Sequence, residues 1–129
     1  MKNINIIIIA VLLLNASSLS ANEALVARFI KAQTRMLQTQ IEQLNSAISL
    51  TQTGISATDK YEKIGKPSFA ATDRTLSQAG FSVKSYYRFK DDHKIAIAKW
   101  LSMHASKASQ IEQLQTKRDN LSQTLEGAN

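Results

Sequence analysis

The chain has 129 residues, with 16 Lys and Arg against 10 Asp and Glu for a net charge of +6, no cysteine, one proline and four glycines. That length suits one domain. The lack of cysteine excludes a disulfide scaffold, a cysteine–zinc site and a thiol nucleophile, and so few turn formers argue against an all-β sandwich.

Residues 1–21 read as a secretory signal peptide. Lys2 supplies a positive start, Ile6 to Leu14 is an unbroken apolar run, and the small residues Ala16, Ser17, Ser18, Ser20 and Ala21 follow. Cleavage after Ser20 or Ala21 is expected. The run is shorter than the ~20 apolar residues that cross a bilayer as a helix, and no later segment is apolar enough to do so. With no cysteine there is no lipid attachment site. The expectation is a bacterial protein exported to the periplasm or the medium, with a single helical domain over residues 22–129. Loss of Lys2 leaves fifteen basic residues against ten acidic. The surplus lies in the middle: residues 59–107 hold ten Lys and Arg and five acids.

The first predicted element is a long amphipathic helix over residues 22–53, with Asn22 as its N-cap and Glu23 in the first turn. Apolar residues recur in heptads, with Ala27, Thr34, Ile41 and Ile48 in one position and Ile30, Leu37 and Leu44 in the other. Val26, Phe29 and Met36 widen the stripe, so the helix is expected to touch more than one neighbour. Residues 54–91 then form an insertion. Within it a short helix is expected over residues 67–79, with Pro67 in the first turn, Gly80 just past the end in the left-handed conformation, and Phe81 closing over Leu76. Residues 82–89 are read as an extended connector or an early start to the next helix.

The last element is a second long helix over residues 92–126, capped by Asp91 or Asp92 and followed by Gly127. Its seam runs through Ile97, His104, Ile111, Arg118 and Leu125, and through Trp100, Lys107, Leu114 and Leu121. The phrase Gln-Ile-Glu-Gln-Leu occurs in both long helices, at residues 40–44 and 110–114; it is a common amphipathic pattern, and nothing else between the helices repeats. The expected fold is therefore all-α: a long antiparallel, coiled-coil-like hairpin with the short helix packed against it. In that hairpin Thr53 lies opposite Asp92, Leu44 meets Leu101, Ile41 meets His104, and both mature ends finish together.

Chemistry is sparsely signalled. His93 and His104 are eleven residues apart, too far along one helix to share a metal ion. No nucleophile elbow, phosphate-cradling glycine loop or zinc-binding His-Glu-x-x-His pattern occurs. No catalytic residue, metal or cofactor is expected, and the chain is read as non-enzymatic. One stretch interleaves cations with aromatics, and its residues Lys84, Tyr86, Tyr87, Arg88 and Lys90 are the expected partner-binding set. In a cytosolic protein this pattern would point to single-stranded nucleic acid. Export argues against that, and leaves an acidic protein surface or an anionic envelope component. The expectation is a small exported binding module acting on a protein partner. The alternative is an assembly subunit of a cell-envelope, secretion or pilus apparatus that self-associates through its long helices.

Overall fold

The structure, a computed structural model, describes residues 2–54, 59, 63 and 66–127, and the side chains of 23–54, 59, 63 and 68–127. The side chains of the N-terminal run lie outside that description, as do residues 55–58, 60–62, 64 and 65. Five helices occur among the described residues, and no strand: α1 (Lys2–Thr51), α2 (Lys66–Gln78), α3 (Val83–Asp92), α4 (Lys94–Met103) and α5 (Ala105–Gly127). The all-helical expectation holds. Among the described residues no helix is long and apolar enough to cross a membrane.

The apolar stripe of α1 makes the core. Val26, Phe29, Ile30, Ala32, Met36, Leu37 and Ile41 are buried, so the widened stripe is the true inner face. Thr34 is buried within it because its hydroxyl donates to the carbonyl of Ile30 at 2.8 Å, which satisfies the polar lapse in the heptad. Towards the end of the helix, Leu44 and Ile48 are only half-buried. In the uncleaved chain α1 runs without interruption from Lys2 through Asn22.

α2 ends as its glycine dictates. Gly80 has φ +85°. Its N–H bonds the Ser77 carbonyl at 3.0 Å, and the Phe81 N–H reaches back to Leu76 at 2.9 Å. These are the two bonds of a Schellman closure, and Leu76 and Phe81 are both buried in the core, as such a closure favours. α2 descends alongside α1: Thr39 and Thr75 share a 3.0 Å hydroxyl bond, and Gly80 sits beside Arg28.

The next turn starts α3 at once. The Ser82 hydroxyl accepts from the Ser85 N–H and the Ser85 hydroxyl from the Ser82 N–H, a reciprocal capping box. The expected capping role of Asp91 or Asp92 is therefore overturned, because those residues close α3 rather than open the next helix. The second long helix is also not continuous. It breaks at His93 and again at His104. At the second break the His104 N–H turns to the Leu101 carbonyl, and the ring Nδ1 takes the Trp100 carbonyl at 2.7 Å. The imidazole stands in for the missing backbone donor.

The antiparallel hairpin is not what these contacts form. The Arg118 guanidinium donates to the side chain of Gln40 at 3.4 Å, and Leu44 and Ala47 line one groove with Ser122 and Leu125. Advancing along α1 thus advances along α5, so the two run in the same direction. Ile111 packs in the cluster of Val26 to Leu37 in either direction, so the direction is carried by the contacts of Arg118, Ser122 and Leu125. The physical reason is the chain path. α2 has already come down α1, and α3 and α4 turn the chain at the bottom, so α5 rises. Three polar lapses in the second seam could not set the polarity by themselves.

Phe29 is 1% exposed at the centre of this bottom end. Aromatic truncation in a core costs ~3–5 kcal/mol. Phe29→Ala should lose about that much in denaturant melts, whereas Gln38→Ala on the exposed face of α1 should stay within about 0.5 kcal/mol. Equal, small losses at both positions would refute this core assignment.

Candidate functional site

The site is built on the turn at the bottom of the bundle. Phe29 stacks on Tyr86 at 4.9 Å and on Phe89 at 5.1 Å, and meets the edge of Phe81 at 6.2 Å. Phe81 in turn stands edge-on to Tyr86 and Phe89. Offset and edge-to-face pairs of this kind favour one relative orientation of the rings. They fix the roll of α3 about its axis, with Tyr86 and Phe89 inward.

Lys84 and Arg88 fall on the opposite face, one turn apart, and are exposed. Lys90 is also exposed. Tyr87 is 47% exposed and meets Tyr86 edge-on at 5.2 Å. Four of the five residues singled out from sequence thus lie on the surface. Tyr86 does not: it is 0% exposed and belongs to the core. Alternation of cations and rings looks the same whether a ring faces out or in, and the roll of the helix decides it.

None of Lys84, Arg88 and Lys90 is in an ion pair among the described residues. Asp91 is 3.9 Å from Lys94, and Arg118 and Asp119 pair at 3.0 Å. Lys94 and Asp91 are both largely exposed, so that pair adds little to stability.

Two buried polar atoms stand without a partner, Oε1 of Gln33 and the hydroxyl of Tyr86. Burial pushes the Tyr86 hydroxyl well above the usual phenol range, and Tyr87 beside it pushes the same way. Tyr86 stays neutral and serves packing. The histidines are exposed at the helix breaks, each stacked on the aromatic residue four before it: His93 on Phe89 at 4.1 Å and His104 on Trp100 at 3.7 Å. No group of three or more metal-ligating side chains occurs among the described residues.

Sequence reasoning missed two features. Arg28 lies over the Phe81 ring at 5.3 Å, a cation–π contact at the edge of the same site. A groove of about 370 Å³ opens over the second half of α1, with Leu44 and Ala47 beside Ser68 of α2 and Arg118 and Leu125 of α5. No local signal marks the first, because Arg28 and Phe81 are far apart in the chain and meet only through the packing of α2 on α1. The groove follows from the parallel course of α5, which the heptads did not encode.

No family model, curated protein or solved structure matches this chain. Fold and site together define an all-helical protein with a basic surface set on an aromatic core.

The Tyr86 hydroxyl yields a sharp test. A buried hydroxyl without a partner is destabilising by ~1–3 kcal/mol. Tyr86→Phe should therefore raise stability by about 1 kcal/mol, read as a higher urea midpoint with an unchanged slope. A lower midpoint would mean that the hydroxyl holds a bound water.

Proposed function

We propose that this is an exported, non-enzymatic helical protein that binds another protein through the basic face of α3. One observation carries the reading. Tyr86 and Phe89 lock α3 from below, and Lys84, Tyr87, Arg88 and Lys90 stand exposed with no acid among the described residues paired to the three cations. A charged surface held by rigid packing presents its groups to a partner without further ordering. Export rests on the N-terminal pattern of Lys2, the apolar run and the small residues after it, and the periplasm or the medium is the destination it implies. Protein recovered from either compartment should begin at Ala21 or Asn22. An intact Met1 in a membrane fraction would refute export by cleavage.

Surface charges chiefly steer encounter and are screened by salt, with a Debye length of ~8 Å at physiological ionic strength. The combined reversal Lys84→Glu, Arg88→Glu and Lys90→Glu should slow association with the partner captured from envelope extract and flatten its salt dependence, at unchanged helical content. A triple variant with the wild-type rate and salt slope rules out α3 as the contact surface.

The groove between α2 and α5 favours a second reading, an envelope assembly subunit that self-associates along its long helices. Leu44, Ala47 and Leu125 supply its apolar lining. Sedimentation velocity over a wide concentration range separates the two, because a self-associating subunit must grow with concentration.

A further inference from the structure

Arg28, Lys31 and Arg35 lie on α1 at i, i+3 and i+7, all exposed. Residues at this spacing share one helix stripe and are side-chain neighbours, and like charges there destabilise the helix. No acid relieves them within α1: positions 24, 25, 27, 32, 34, 38 and 39 are Ala, Leu, Ala, Ala, Thr, Gln and Thr. No ion pair reaches the row from another element among the described residues. Arg28 is nevertheless held in place, its guanidinium 5.3 Å over Phe81 and beside Gly80. The row meets α3 at this point, since Phe81 and Ser82 lead directly into the turn that carries Lys84. The fold thus maintains a repulsive row next to the basic face of α3, with no acid paired to it among the described residues.

We propose that this row is a docking ridge for an acidic α-helical segment of a partner protein. This rests on the reading of α3 as a protein-binding surface and names the chemistry of what binds. The three cations follow a helical repeat, one turn apart, which is the spacing of carboxylates at i, i+4 and i+8 on a facing helix. Two helices side by side can match such rows charge for charge. A bilayer is a poorer fit, because an interfacial helix must insert its apolar face, and Val26, Phe29, Ile30 and Leu37 on α1 are already buried in the core.

The experiment uses the full chain and a fluorescein-labelled alanine-based peptide with Glu at every fourth position. A peptide of the same charge broken by two prolines and vesicles containing phosphatidylglycerol are the comparators. The wild type should bind the helical peptide at low salt, release it at high salt, and prefer it to both comparators. Lys31→Glu should weaken binding about tenfold. The same change should raise the melting temperature by about 2 °C, because the new carboxylate lies between two arginines. Lys31→Arg should keep binding. A merely structural lysine would not give opposite signs for binding and stability. Unchanged binding in Lys31→Glu overturns the ridge; if the α3 triple reversal then abolishes binding, the α3 reading stands alone, and if it does not, both fall. Equal binding of the proline-broken peptide, or preference for the vesicles, also overturns the ridge.

Discussion

The packing of rings around Phe29 is the constraint on which the rest of this molecule depends. One side chain of α1 touches three aromatic residues from the segment that turns the chain between α2 and α5. Each such pair adds ~0.5–1.5 kcal/mol beyond its buried area. More important than the sum is the geometry. With Phe81, Tyr86 and Phe89 tied to one point, α3 has a single roll, which turns Lys84 and Arg88 directly away from the rings and leaves Lys90 exposed at the flank. The surface charge pattern is therefore a by-product of core packing.

Local chemistry explains what could be read in advance. The end of α2 was legible because a glycine and the phenylalanine after it satisfy the last carbonyls in only one economical way. The inner face of α1 was legible because seven of its positions repeat in heptads and the one polar residue among them, Thr34, can bond its own backbone. The repeated phrase behaves alike in both places: Ile41 and Ile111 are buried, and Leu44 and Leu114 are half-buried. Direction and continuity were not legible. A heptad seam looks the same to a parallel and an antiparallel neighbour, and α2 decides between them by occupying the way down. The basic set was largely legible as surface, but Tyr86 was not separable from Tyr87 until a ring on another helix claimed one of them.

The two breaks share a side-chain arrangement that no helix-stop rule flags, but the backbone responds differently: His93 N–H keeps the Phe89 carbonyl at 3.0 Å, whereas His104 N–H moves to Leu101. Neither Gly nor Pro marks His93 or His104. In each case a histidine four residues after an aromatic stacks on that ring and turns its Nδ1 to the same residue's carbonyl. The side chain competes with the backbone for one acceptor, as short polar side chains do elsewhere. At His104 the imidazole takes the carbonyl that the backbone N–H gives up, and the break there separates α4 from the final riser of the bundle.

The shared direction of α1 and α5 also sets the polarity of the whole molecule in space. From residue 23 to residue 51, α1 extends about 42 Å at its ordinary rise. The basic base lies at the near end, next to the N-terminal run, and the groove beside Leu44 and the close of α5 lie at the far end. The two surfaces therefore lie about a helix length apart, so a ligand that covers one leaves the other open.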